Sequence, residues 1–305
     1  MRHEGAALSD GVIPLDRRWL ASHPLPIHGD NTTKNSRGCV VVVGGSLTVP
    51  GGILLPAEAA LRVGAGKVRI GTIAETAITI GVAMPEAGVI ALPGEDGEIA
   101  LGAEALLQRT LDRSDVLLLG PAISDRDRAG ALAERLLGDK AAFACILDGA
   151  AVAGAQICAA ALPACGRALV LTPHYGEMAV LMGVEERAIA ERPEHHARAA
   201  AVRFNAVVAL KGSQTVIAAP ERSLLRYAGG GVGLATGGSG DVLAGAIAGL
   251  LARGADPLTA TCWGVWLHGK AGRRAASDIG DIGFLARELL PLLPSIMASL
   301  AGSTE

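Results

Sequence analysis

An acid closes a run of small residues at Ala235-Thr236-Gly237-Gly238-Ser239-Gly240-Asp241-Val242-Leu243, and an apolar helical pattern starts directly after it. The first turn of a helix leaves backbone N–H groups without partners, and its dipole favours negative charge there. Glycines let a phosphate reach those amides unobstructed, so Gly237, Gly238, Ser239 and Gly240 form a candidate anion hole. A carboxylate at the mouth of such a hole is out of place if the hole only binds phosphate. It fits if Asp241 takes a proton from a hydroxyl that attacks the phosphate, and phosphoryl transfer is therefore the first reading. The alternative is a helix start carrying a stabilising acid. In either case the helix end is expected to lower the pKa of Asp241.

Other residues able to do chemistry lie at the ends of short apolar runs. Strands are expected at 39–43, 67–70, 116–119, 143–147, 168–171 and 207–210, and 215–219 with 223–226 form a hairpin. Helices are expected over 52–63, 126–137, 242–253, 257–276 and 285–300, with Gly254 as a C-terminal cap. This alternation predicts a mostly parallel sheet covered by helices on both faces, with antiparallel strands at one edge. Ligands in such sheets bind where loops leave the carboxyl ends of the strands. Those ends carry Gly44-Gly45-Ser46, Gly120-Pro121, Asp148, Thr172-Pro173-His174 and Lys211-Gly212.

Each has a bland alternative. Lys211-Gly212-Ser213-Gln214-Thr215 is either part of a ligand loop or an ordinary hairpin turn with a solvent-exposed lysine. His174 either faces a substrate or caps the helix that follows it. The glycines at 44–45 and 51–52 lack the G-x-G-x-x-G spacing of a dinucleotide turn. His195 and His196 read as a solvated helix face, and His268 as a packing residue; neither site suggests a metal.

Composition limits the setting. The 305 residues are 50% hydrophobic but only 3% aromatic, so the core is built from Ala, Val, Leu and Ile. A net charge of -3 gives no electrostatic footprint for nucleic acid or an anionic membrane. No run reaches the roughly 18 apolar residues that span a bilayer. The five cysteines are odd in number and without C-x-x-C spacing, so reduced, buried thiols in a cytoplasmic protein are expected. Residues 1–30 read as an extension packed on one domain formed by 31–305.

Taken together, Gly44-Gly45-Ser46 with Pro50-Gly51-Gly52, Leu171-Thr172-Pro173-His174 with Gly176-Glu177, Lys211-Gly212 with Thr215, the Ala235–Leu243 block, and Leu267-His268-Gly269 with Ala271-Gly272 resemble the ADP-dependent NAD(P)H-hydrate dehydratase family. The similarity runs from about residue 34 to about 291. It implies a ribokinase-like three-layer α/β/α sandwich. The implied reaction is dehydration of (S)-NADHX or NADPHX, NAD(P)H hydrated at the nicotinamide ring, to NADH or NADPH, with ADP converted to AMP and phosphate.

Carried over by position, Asp241 would contact the hydrate's hydroxyl, and Gly52, Ala122 and His174 would line the hydrate pocket. Lys211, Gly212, Ser213, Gln214, Thr215 and Gly240 would line the ADP/AMP site. Mg²⁺ would bridge nucleotide oxygens mainly through water, with Glu177 as an outer contact. Gly52 stands where alanine is usual, Ala122 where a second glycine of Gly-Pro-Gly is usual, and Asp148-Gly149-Ala150 replaces a commoner Asp-Ala-Asp. The resemblance further implies a separate NAD(P)H-hydrate epimerase as functional partner and a homo-oligomer, a tetramer by analogy. Two other readings share the anion hole: a kinase of the same superfamily acting on a thiazole- or pyrimidine-type vitamin-precursor alcohol, and a non-catalytic nucleotide-binding regulator.

Overall fold

The computed structural model describes residues 11–137, 143–160, 162 and 168–301. Its strands are β1 (Ile13–Pro14), β2 (Cys39–Val43), β3 (Lys67–Ile73), β4 (Gly88–Leu92), β5 (Gly94–Glu95), β6 (Glu98–Ile99), β7 (Val116–Leu119), β8 (Ala144–Leu147), β9 (Leu169–Leu171), β10 (Val207–Leu210), β11 (Thr215–Ala218) and β12 (Leu225–Tyr227). Ten of them form one sheet in the order β1-β12-β11-β10-β9-β8-β7-β2-β3-β4, while β5 and β6 make a separate hairpin. From β10 across to β4 every pairing is parallel. β11 runs antiparallel to both of its neighbours, as expected at that side.

The strands read as continuous apolar runs because both faces are covered. Val40 and Val42 of β2 join one core with the Leu54–Arg62, Ser239–Ala252 and Pro257–Asp278 helices. Val41 and Val43 point the other way, into a second core with the Arg126–Leu136, Tyr175–Met182 and Pro193–Phe204 helices. This is the three-layer α/β/α arrangement with the predicted alternation.

Three expectations need correction. The helix expected to begin after Asp241 starts at Ser239, which brings Gly240 and Asp241 into its first turn. The 52–63 element is a 3₁₀ turn, Pro50–Ile53, followed by the Leu54–Arg62 helix. The 285–300 helix is broken by Pro291 and Pro294, whose missing N–H groups interrupt the ladder; it becomes Ala286–Leu289, a 3₁₀ turn Leu290–Leu292, and Leu293–Ala301. Gly254 closes its helix with φ +91°, as expected. Cys39, Cys145, Cys158 and Cys262 are buried, and Cys165 lies outside the described residues. Among the described residues no helix is long and apolar enough to cross a membrane.

The Ser239–Ala252 helix is apolar almost all round and packs backbone to backbone on the Leu54–Arg62 helix. A β-carbon at Gly245 would lie 2.2 Å from the Pro56 carbonyl oxygen, and one at Gly249 would lie 2.4 Å from that of Ala60. Only glycine permits this approach.

The N-terminal segment is part of the sheet. β1 donates from Ile13 N to Leu224 O and from Leu15 N to Arg226 O, both at 2.8 Å, extending the sheet beyond the hairpin. Leu15 and Leu20 enter the first core, and Trp263 Nε1 donates to His23 O at 2.8 Å. Leu20 is 1% exposed, so Leu20→Ala should destabilise the fold by about 2–4 kcal/mol in urea-induced unfolding, as for a core leucine. A cost near zero would show the segment to be peripheral.

Candidate functional site

The apolar strands deliver their polar successors to one edge of the sheet. Asp148 follows β8, Thr172-Pro173-His174 follows β9, and Lys211 follows β10. Lys211 N donates to Pro173 O at 2.8 Å, and His174 and Lys211 form an isolated parallel bridge, so the β9 and β10 loops leave the sheet together. Asp148 is 3% exposed, and its Oδ1 accepts from Lys211 Nζ at 2.9 Å and from Thr172 Oγ1 at 2.6 Å. Lys211 Nζ is also 3.8 Å from Glu177 Oε2. Burial alone would lower the lysine's pKa, but Asp148 and then Glu177 hold it above its ordinary value. The solvent-exposed hairpin lysine is therefore excluded.

Asp241 comes to the same place from the opposite layer. Gly238, with φ +85°, caps the Ser239–Ala252 helix and puts Asp241 third in its first turn. Lys211 Nζ lies 3.2 Å from where a β-carbon on Gly240 would sit, so glycine there leaves room for the ammonium. The expected depression of the Asp241 pKa is wrong. Burial, and then the negative charge of Asp148, push it from 3.8 up to about 7, against the lowering effects of Lys211 and of the residue's own backbone amide. A helix end carries only about half an elementary charge and is outweighed by lost hydration and a nearby whole charge.

Beside these groups opens a cavity of about 860 Å³. Its walls bring together His174, Lys211, Gly212, Ser213, Gln214, Thr215, Ser239 and Gly240, along with the Gly229–Gly231 approach. Asp241 follows Gly240 in the chain but is not among the residues that line the cavity, and neither are Gly237 and Gly238. His174 is also the N-cap of the Tyr175–Met182 helix: its Nδ1 accepts from Glu177 N at 3.2 Å, while Glu177 Oε2 accepts from His174 N at 2.8 Å. The histidine caps the helix, as one of the two readings had it, and it also lines the cavity.

Gly52 and Ala122 do not line that cavity. They meet each other at the loops after β2 and β7. The strand order reverses between β2 and β7, and the following helices cover opposite faces, which opens a crevice at the carboxyl ends. Gly120, just before Ala122's turn, packs against the Asp148 carbonyl, and Leu55, just past Gly52, packs against Gly238. The crevice and the cavity therefore flank the Asp148–Lys211–Asp241 group.

Sequence reasoning passed over several residues. His268 is more than a packing residue: its Nε2 lies 2.8 Å from Ser239 Oγ, it faces the cavity, and burial pushes its pKa down to about 4, leaving it neutral. Tyr227 and Arg273 also line the cavity, and burial raises the Tyr227 phenol to about 12. The available signal was the isolated polar residue in an apolar helix, as at Trp266-Leu267-His268. Asp148 was noticed as a strand end and as the start of Asp148-Gly149-Ala150, with no role given to its carboxylate.

Known proteins align with this arrangement. The model of the NAD(P)H-hydrate dehydratase family matches residues 40–295. An ADP-dependent (S)-NAD(P)H-hydrate dehydratase of Xanthomonas campestris is 44% identical over 92% of this chain and 94% of its own length. A bifunctional NAD(P)H-hydrate repair enzyme of Moorella thermoacetica is 36% identical over 95% of this chain, which spans 55% of that relative. The crystal structure of a Bacillus subtilis ADP/ATP-dependent NAD(P)H-hydrate dehydratase, co-crystallised with ATP and Mg²⁺, superposes with a TM-score of 0.79 at 27% identity, covering 96% of this chain and all of that one.

The raised Asp241 pKa has a measurable consequence for stability. Between 3.8 and about 7 the folded protein keeps a proton that the unfolded chain has released. Stability therefore falls as pH rises through that window, and the loss is complete above it. Asp241→Asn should raise Tm by a few degrees at pH 8, with the gain shrinking toward zero near pH 4, in paired thermal unfolding curves. An equal Tm for the two proteins at pH 8 would mean that the carboxylate ionises there without penalty.

Proposed function

The chain belongs to the NAD(P)H-hydrate dehydratase family, and we propose that it performs that family's reaction with Asp241 as the base. It is an enzyme that dehydrates (S)-NAD(P)H hydrate to NAD(P)H at the expense of ADP, releasing AMP and phosphate. The observation that carries the residue assignment is the approach of Lys211 Nζ to Gly240, in the first turn of Asp241's helix, beside a nucleotide-sized cavity.

Asp241, poised near neutrality, accepts the proton of the ring hydroxyl as its oxygen attacks the terminal phosphorus of ADP. The P–O bond to AMP breaks, and the amides of Gly237, Gly238 and Gly240 hold the equatorial oxygens as charge shifts, while the Ser239 amide donates to Thr236 O at 3.3 Å. Lys211, charged and fixed by Asp148, faces the phosphates, while Gly212, Ser213, Gln214 and Thr215 line the nucleotide side. The ring nitrogen then expels phosphate, and loss of a proton from the neighbouring carbon restores the double bond. Gly52 and Ala122 border the hydrate from the loops after β2 and β7, and His174 reaches it from the wall of the nucleotide cavity.

Among the described residues no group of three or more His, Cys, Asp or Glu side chains could hold a metal ion. Mg²⁺ keeps several of its waters and is held chiefly by phosphate oxygens with one or two carboxylates, so it does not need such a group. Glu177, through water, is the outer contact. When bound, Mg²⁺ neutralises charge on the nucleotide oxygens.

Because the reaction is specific for the (S) hydrate, the (R) form must be converted by an NAD(P)H-hydrate epimerase, which we propose as the functional partner. We propose the cytoplasm as the setting, in keeping with the buried cysteines.

The test follows product identity with hydrated NADH and ADP. Absorbance at the reduced-nicotinamide band should rise together with AMP and phosphate, and a stable phosphorylated alcohol would instead identify a kinase. Asp241→Asn should keep ADP binding by calorimetry and lose turnover by about 10²–10⁴. Near-normal turnover would remove Asp241 from its role.

A further inference from the structure

His268 interrupts the apolar stretch of the Pro257–Asp278 helix at the cavity wall. A buried imidazole costs stability unless it is hydrogen-bonded. Its Nε2 lies 2.8 Å from Ser239 Oγ, and the two residues are 9% and 3% exposed. Both line the cavity. Ser239 opens Asp241's helix and directly precedes Gly240, which Lys211 Nζ approaches. Burial pushes the His268 pKa down to about 4, a hydrogen bond to the Ser239 backbone acts against this, and the charge of Lys211 adds to the fall. The ring is therefore neutral, and it sits within reach of the cation that faces the phosphates.

The Ser239 amide is engaged by Thr236 O at 3.3 Å, which leaves the hydroxyl as the group this residue can offer an anion. An ionised phosphate oxygen only accepts, so the hydroxyl serves it only if its single hydrogen is free. Two arrangements fit the 2.8 Å contact. A bare Nε2 would take the serine hydrogen and turn oxygen lone pairs toward the anion. An Nε2 that carries hydrogen donates to the serine oxygen, which keeps its own hydrogen. The Ser239 backbone decides between them: a carbonyl only accepts, so the ring nitrogen on that side is the one bearing hydrogen.

We propose that His268 is a positioning residue for the nucleotide: its Nε2–H donates to Ser239 Oγ, and the freed serine hydrogen donates to a phosphate oxygen of the bound nucleoside diphosphate. This rests on the reading that the cavity takes the nucleotide. The start of the helix then meets the anion with an oriented hydroxyl as well as with Lys211, and the imidazole supplies direction rather than charge.

Calorimetric titration with ADP tests this on the parent, Ser239→Ala, His268→Leu, His268→Gln and the Ser239→Ala/His268→Leu double exchange, with Tm and hydrate KM measured alongside. Removing one hydrogen bond to a charged group weakens binding about 10–100-fold, so Ser239→Ala should raise the ADP Kd by that factor. His268→Leu should raise it by no more, and the double exchange should match Ser239→Ala, because the imidazole acts only through the hydroxyl. Glutamine carries an amide N–H to a similar reach, so His268→Gln should bring the Kd to within about threefold of the parent. A role in packing alone would reverse that order, since leucine suits an apolar surrounding better. Hydrate KM should stay constant throughout. If His268→Leu does not fold, Ser239→Ala and His268→Gln decide the matter. An unchanged Kd in Ser239→Ala would overturn the role of the hydroxyl. Losses that multiply in the double exchange, or a His268→Gln protein as weak as His268→Leu, would overturn the donation from the ring. A parent that binds ADP without turning over the hydrate would count against the proposed reaction alone, whereas a parent that binds no ADP would overturn the assignment of the cavity and this role with it.

Discussion

The contact at 2.9 Å between Lys211 Nζ and Asp148 Oδ1 ties the ends of β10 and β8 across β9, and the chemistry of the site depends on it. Taking both charges out of water costs several kcal/mol, and such a pair often adds nothing net to stability. Its consequence is electrostatic. Asp148, Glu177 and Asp241 all bear on the same few ångströms, and Lys211 is the cation that acts on all three. Burial raises the Asp241 pKa, Asp148 adds to that rise, and Lys211 opposes both. Together they hold a buried acid near the middle of the physiological range, where a group can both accept and release a proton.

The alternation of apolar runs with helical patterns was enough to read the layers and the parallel sheet. It did not reveal β1, because two residues including Pro14 carry no periodic signal and their partner β12 lies about two hundred positions away. Nor did it reveal β4, where the Gly88–Leu92 run forms a partly exposed edge rather than a buried strand. The 239–241 motif was legible because its chemistry is local: small residues, a helix start and an acid. The sign of the Asp241 shift was not, since the charges that set it arrive from β8, β10 and the Tyr175–Met182 helix. The departures at 52 and 122 looked like two unrelated changes from the resembled pattern. In three dimensions they are neighbours, one losing a methyl where the other gains it.

His268 illustrates a different limit. In sequence it is one polar residue among apolar ones, and burial in a helix was a sound expectation. What the linear chain does not show is that its ring nitrogen reaches Ser239 at the start of the next-door helix, 29 positions away. A neutral imidazole there gives the serine hydroxyl a fixed partner without adding charge to the cavity wall.

The glycines at 245 and 249 set Asp241's helix directly on the main chain of the helix that follows Gly52. Two rods seated that closely have no side-chain cushion and cannot slide past one another. Asp241 and the turn that carries Gly52 therefore share one rigid frame, and their spacing exists before any molecule arrives.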